Sequence, residues 1–353
     1  MPGLGANGKN KFTASLGWRY AQADRSYFDS RLNHAFTSSW NPYERLSVLD
    51  VTGQYALNKR FSVMSSLPIV FNKFSMLYPP LGNGRGNRYS TTPKGIGDLT
   101  IYGQGWLLDS EKSPNHNVAL GVGIKVPTGN WNSKDILPDE TGRNFAMRTV
   151  YPPAIQPGDG GVGVLVGIQA FRQLRNNWPI VHGGTVFASG NYLINARDTN
   201  GTPSMVQSLG VPLNSFFNGR ITNSVADSYN AQVGVALRVP GTWDKPNLKG
   251  LRMRIVGGCE GLNSHDLIGK NNGFRQPGYT LSIGPGLTYA RGKDVLTIDI
   301  PIVFNRHINP NKSIVPGPPI QTRGGPIPSP INFNRQMGLV APLSVVVRYV
   351  RAF

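Results

Sequence analysis

The sequence has a single cysteine, Cys259, few acidic residues and no long apolar run. One cysteine excludes an intramolecular disulfide and any cysteine-built zinc cluster. No stretch approaches the roughly eighteen consecutive apolar residues of a membrane-crossing helix, which leaves a membrane-crossing barrel open. Asp and Glu number 18 against 36 Lys and Arg, a formal net charge of +18. Such an excess usually suggests nucleic acid, but the basic residues are dispersed without a run of about five or six, so no nucleic-acid partner is expected. Only 15% of residues are charged, while glycine (43) and proline (28) are about a fifth of the 353 residues. Helical arrays are disfavoured by that composition. The start, MPGLGANGKN, lacks the charged and apolar regions of a signal peptide, so an exported protein is expected here in its mature form.

Catalytic signatures are missing too. There is no G-x-S-x-G, H-E-x-x-H or phosphate loop, and the Gly-rich stretch Gly82 to Asn87 has no helical pattern after it. His182 falls in a strand pattern with Ile180 and Gly184 as same-face neighbours, which supply no nucleophile. No catalytic residue, metal or cofactor is expected.

What is present is alternation. Segments of period two, bounded by Gly, Pro, Asn and Asp clusters, fall at about 11–22, 46–57, 61–72, 96–108, 116–126, 160–174, 178–193, 227–239, 250–262, 278–290, 294–306 and 339–353. No segment has the length and spacing of an amphipathic helix. Strands two and three are joined by Asn58 to Arg60, six and seven by Arg175 to Asn177, ten and eleven by Arg291 to Lys293. The connections after the odd-numbered strands run from about fourteen to over thirty residues. An even strand number with alternating short and long connections is the pattern of outer-membrane barrels, whose short turns are periplasmic and whose long loops are external. The expected fold is therefore all-β: a single 12-stranded antiparallel transmembrane β-barrel over residues 1–353, preceded by a short segment 1–10.

The faces follow from parity. Tyr229, Ala231, Val233, Val235, Leu237 and Val239 oppose Ser228, Asn230, Gln232, Gly234, Ala236 and Arg238. Aromatics gather near the short-turn ends (Tyr55, Phe61, Tyr289, Phe353) and the long-loop ends (Tyr20, Phe71, Tyr229, Tyr279, Phe304), as two membrane girdles would. Cys259 shares the apolar face of Leu251, Met253 and Ile255 and is expected to contact lipid. Pro68, Pro285 and Pro301 lie inside strands, where a missing donor calls for local bulges. Val181 to Leu193 reads equally well in either register.

Several stretches carry a resemblance: Leu49 to Leu57 running into Phe61 to Ile69, then Gly95 to Leu108, then Leu120 to Gly129, whose Lys125, Pro127, Thr128 and Gly129 match a K-L-P-T-G-D strand end with Asn130 in the place of the acid. These are similar to the outer-membrane barrels of the phenol-degradation MetA-pathway family. A Gly-rich strand at Gly160 to Gly167 follows in that family's order. The resemblance implies a channel for small, often aromatic or hydrophobic, molecules.

On the inward face stand Arg19, Asp50, Gln54, Asp98, Gln104, Lys125, Gln232, Arg238, Arg252, Arg254, Glu260, Asp299 and Arg348. They are pore-lining candidates, and the plainer alternative is that opposite charges pair and hold the barrel. Lys73, Arg85, Arg88, Lys94, Lys312 and Arg323 fall in long loops without acids and are candidates to meet lipopolysaccharide phosphates; solvated loops would look the same. Seven prolines in the loop 306–336 suggest a stiff cover over the pore or a partner-binding loop. Leu343, Val345, Val347, Tyr349 and Phe353 share one face of the last strand and resemble the signal read by the outer-membrane assembly machinery, with Arg351 breaking the apolar face.

The expectation is an outer-membrane barrel of a Gram-negative bacterium, acting as a passive channel for small molecules, with membrane lipid, lipopolysaccharide and the assembly machinery as partners. Two alternatives remain open: an anchoring barrel subunit of a larger cell-surface assembly without transport activity, and a soluble β-sandwich binder.

Overall fold

The computed structural model describes residues 11–78, 87–109, 111–138, 145–150, 152–174, 181, 183–204, 222–242, 244–270, 272–308 and 337–353. Its centre is a barrel of strands β1 (Phe12–Ala23), β2 (Tyr43–Ala56), β3 (Phe61–Phe71), β4 (Leu99–Trp106), β5 (His116–Val126), β6 (Gly163–Gln173), β7 (Thr185–Asn195), β8 (Ser228–Arg238), β9 (Leu251–Leu262), β10 (Gly278–Arg291), β11 (Asp294–Asp299) and β12 (Ser344–Ala352). Each strand pairs antiparallel with the next, and β12 returns to pair with β1 from Thr13↔Ala352 to Ala21↔Ser344. Closure removes the open edges that a sheet of this size would otherwise present. Every expected strand is found, and their order round the wall is their order in the chain.

Parity sets the faces as expected. Leu16, Val51, Val122, Val166, Val233, Ile255 and Ile283 are exposed on the outside, where lipid takes the place of a protein core. Tyr55, Phe61 and Phe353 are exposed near the short turns, and Phe71 and Phe304 near the long loops. Outward-facing Gly103 and Gly105 of β4 carry no side chain, so Leu57, Phe61 and Val63 on one side and Leu120 and Val122 on the other frame a groove of about 720 Å³ in this outer surface. Arg351 breaks the apolar face only at the rim, 3.6 Å from Asp294.

The turn between β2 and β3 is held by Asn58, whose Oδ1 accepts the Arg60 and Phe61 N–H groups at 2.8 and 2.9 Å. That is why the four-residue link Leu57 to Arg60 suffices. Between β10 and β11, Gly292 takes φ +60°, a conformation that favours glycine.

Several boundaries differ from expectation. The bulge expected at Pro68 lies on its partner: between Ser66↔Thr100 and Ile69↔Ile96 the β4 side runs one residue longer, and the Pro68 carbonyl accepts the Gly97 N–H at 2.7 Å. Pro285 stays in register with Ile255 and needs no bulge there, because its carbonyl still accepts the Ile300 N–H at 2.9 Å. Pro301, lacking a donor, ends β11, which resumes as Ile302–Ile308 with a bulge at Phe304. The last strand starts at Ser344 rather than 339, after Pro342 interrupts the ladder. Met337–Leu339 pairs instead with Ser26–Phe28 in a small separate sheet that also holds Arg31–Leu32. The seventh strand starts at Thr185 because Gly183, at φ +69°, and Gly184 close the preceding turn, with the Leu174 N–H on the Gly184 carbonyl at 2.8 Å.

The long connections are not plain loops. Lys73–Tyr78 and Asn87–Thr91 form a hairpin beyond the barrel, as do Lys134–Pro138 with Phe145–Thr149 and Thr199–Pro203 with Thr222–Ser224. A seven-residue helix, His34–Trp40, is too short to give a periodic signal in sequence. The packed apolar clusters lie at this end: Phe74, Met76, Leu137, Val150 and Ile155 with Trp40, Leu46, Tyr89 and Leu339, and Tyr27, Ile308 and Val340 with Leu32 and Val303. The core of this molecule thus sits in a cap over the long-loop rim. The stiff-cover reading of the Pro-rich loop falls on 309–336, outside the described residues, as do Arg85, Lys312 and Arg323.

Candidate functional site: the barrel lumen

The registers place Arg19 of β1, Asp50 and Gln54 of β2, Gln104 of β4 and Lys125 of β5 on the inner face. Gln232 and Arg238 of β8, Arg252, Arg254 and Glu260 of β9, Asp299 of β11 and Arg348 of β12 share it. Asp98 continues the alternation just before β4. Cys259, opposite Ala231 and Leu281, is on the outer face.

Their surroundings divide them. Arg19 and Glu260 belong to strands that are not neighbours and meet at 3.8 Å with side chains 54% and 64% exposed, so this pair bridges an open interior. Arg254 and Asp299 meet at 3.0 Å and are largely buried against the wall. Asp50 and Arg348 each stand opposite Gly17, which puts no side chain between them. The polar amides pair along the wall: Gln54 donates to Ser62 Oγ at 3.0 Å, Gln232 to Ser189 Oγ at 2.9 Å, and Gln169 to Gln104 Oε1 at 2.5 Å.

Lys125 and Asp98 do something else. Buried Lys125 is ion-paired with Asp159 and lies 4.0 Å from Asp98. The Asp98 carboxylate accepts the Gly129 N–H at 3.0 Å and the Asp159 N–H at 3.1 Å. Burial, helped by the neighbouring Asp159 charge, raises the Asp98 carboxyl from its ordinary value against the pull of these two donors and of Lys125. The segment around Asp159 is further tied by Asn200 Nδ2 to the Asp159 carbonyl at 3.0 Å and Arg197 to the Gly160 carbonyl at 2.6 Å. Lys125 and Asp98 therefore pin the β5–β6 connection to the wall.

Sequence reading missed the other half of the inner face. Tyr102 lies buried on the wall across Gly121 and Gly167, where a Cβ at Gly121 would collide with its ring and one at Gly167 with its hydroxyl. Phe171 and Phe187 are register partners on the inner face, and Trp106 meets Phe171 nearly edge-on at 5.7 Å. The Arg254 guanidinium sits 4.8 Å from the centre of the Phe187 ring. These aromatics share the strand parity of Gln104 and Gln169, a signal masked by their apolar side chains, which match the lipid-facing residues in character. The lumen thus has a charged wall, centred on β9, β11, β12 and β1, and an aromatic and glycine-rich wall from β4 to β7.

No spacing in the sequence announces the rim network. Asp227, fully buried, accepts the Asn195 N–H at 2.7 Å, the Leu267 N–H at 2.8 Å and the Tyr192 hydroxyl at 3.1 Å. Its own N–H donates to Asp266, which holds Arg275 by two bonds of 2.8 and 2.7 Å. Among the lipopolysaccharide candidates, Lys94 is exposed, Lys73 is half-buried, and Arg88 is engaged by Ser75 Oγ at 3.1 Å and the Asn41 carbonyl at 2.9 Å. Arg88 and Lys73 stand in the hairpin strands and not in free loop, because the apolar partners Phe74 and Met76 draw that segment into the cap. Leu343, Tyr349 and Phe353 are exposed on the outer face, which Val345 and Val347 share by register.

Residues 43–147 match the model of a family described as Putative MetA-pathway of phenol degradation. The matched segment is less than half of the chain and holds β2 to β5 with the first cap hairpin. Among solved structures, an outer membrane channel from Pseudomonas putida F1 is similar at 15% identity and TM-score 0.55, with 98% of this chain and 96% of that one covered. This likeness carries the fold: a closed barrel of the outer-membrane type. The beta domain of the Bordetella autotransporter BrkA (11% identity, TM-score 0.42, 96% and 100% covered) and a FadL homologue from Pseudomonas aeruginosa (10%, 0.40, 97% and 90%) are too remote to argue from. No curated protein matches the chain.

Proposed function

We propose that the chain is a single barrel domain of the outer membrane that acts as a passive channel for small, aromatic or hydrophobic molecules. The observation that carries this reading is the Arg19–Glu260 pair, which spans the interior with both side chains more than half exposed. Charges held in that way need water around them, and a hydrated lumen is a path. The aromatic wall of Trp106, Phe171 and Phe187 offers the path an apolar side. The matched family's description and the channel from Pseudomonas putida F1 point to the same class of protein. In this reading the short turns face the periplasm, Lys94 meets lipopolysaccharide phosphates, and the outer face of β12 from Leu343 to Phe353 is read during assembly.

One observation favours the anchoring alternative. Ile136 and Met147, register partners on the hairpin outside the barrel, are 61% and 64% exposed, and Phe145 beside them is 49% exposed. An apolar patch of this kind marks contact surfaces. Single-channel recording of the purified barrel in a planar bilayer separates the two. Stepwise conductance is expected for the channel, and a folded, heat-resistant barrel that carries no current would leave the anchor.

A further inference from the structure

At the short-turn end of the lumen two arginines stand side by side. Arg238 of β8 and Arg252 of β9 are direct register partners on the inner face. Like charges opposite one another in a sheet are unfavourable, and among the described residues neither forms an ion pair. Among the described residues, none gives the buried Arg252 Nη1 a hydrogen-bond partner. A buried guanidinium donor left unmet calls for an acceptor, and two neighbouring guanidinium groups call for an anionic one. One inward position further along β9, Arg254 is already taken, bound to Asp299 at 3.0 Å and seated over Phe187. It marks the point where the charged wall meets the aromatic row Phe187, Phe171 and Trp106.

We propose that this end of the lumen binds a small aromatic carboxylate, with its carboxylate on Arg238 and Arg252 and its ring against Phe187 and Phe171. The planar guanidinium fork matches a carboxylate through two parallel bonds. Edge-on and offset ring contacts suit an aromatic body of about the size of benzene. An inorganic anion would leave the aromatic row unused, and a neutral arene would leave the Arg252 donor unmet. The proposal deepens the channel reading and rests on it, since a solute reaches this site only through the lumen.

The test is equilibrium dialysis of radiolabelled benzoate against the purified full-length barrel in detergent, with benzamide and acetate as competitors. Benzoate is expected to compete about tenfold better than either, a difference of about 1.4 kcal/mol. Arg252→Gln and Arg238→Gln are each expected to lose about tenfold in benzoate affinity with benzamide unchanged, while the barrel stays heat-resistant on gels. Should the glutamine variants fail to fold, Arg252→Lys, which keeps the charge and loses the fork, is expected to bind benzoate several-fold more weakly. Equal competition by acetate and benzoate, or full benzoate affinity in a folded variant, overturns the proposal. Planar-bilayer recording keeps the two readings apart. A conducting barrel indifferent to benzoate sinks the site and spares the channel, whereas a barrel that binds benzoate and carries no current sinks the channel and spares the site.

Discussion

The buried charges at the long-loop rim and the exposed pair that bridges the lumen are built from the same residue types and behave in opposite ways. At the rim, Arg275 and Asp266 are buried to 2% and 1% exposure and meet through two bonds, and Asp227 accepts three donors out of reach of water. In the lumen, Arg19 and Glu260 meet at 3.8 Å while more than half exposed. Burial decides the role. A buried pair cannot be opened without stranding a charge, so it fastens structure, whereas a hydrated pair is weak and free to rearrange round a passing solute.

Mutations can break this comparison. The largest effect is expected from Arg275→Ala, which strands Asp266 and should cost about 3–5 kcal/mol, read as a lower unfolding midpoint in denaturant. Asp227→Asn comes next at about 1–3 kcal/mol, because an amide there aims an N–H at an N–H donor. Arg19→Gln is expected to cost less than about 1 kcal/mol while changing single-channel conductance or its ion selectivity. The smallest effect has the opposite sign: Arg238→Gln relieves a like-charge neighbour and should raise stability by about 0.2–1 kcal/mol. A large loss from Arg19→Gln, or a small one from Arg275→Ala, would show that exposure does not separate the two sets.

Much of the barrel could be read from the chain, because a strand with lipid on one side and a lumen on the other writes its faces as strict alternation. That is why His116–Val126 was placed with its own ends and why Arg252, Arg254 and Glu260 were assigned inward. Strand β7 resisted because Phe187 and Leu193 face inward while Val186 and Ile194 alternate with them, so both faces are apolar. The same cause hid the aromatic wall. The cap was illegible for another reason: Phe74, Leu137 and Ile155 come from separate connections, and no local pattern records a cluster that only tertiary packing brings together. Asp227, Asp266 and Arg275 carry no shared spacing in the sequence for the same reason.

The seam between β1 and β12 imposes an order in time. The eleven other barrel ladders join consecutive strands, and each can zip as soon as its two members exist, but Thr13 must wait for Ala352 and the Phe12 carbonyl for the Phe353 N–H, at 2.9 Å. Loop-closure entropy rises only slowly with length, so the delay comes less from distance than from sequence: every strand between must be in register before the two ends meet. Until then β1 and β12 are both unpaired edges, each a template for another chain. The last ladder made is also the one whose failure leaves an open sheet, so a slip of one residue at Gly17↔Arg348 would turn the arginine out to lipid and Val347 into the lumen.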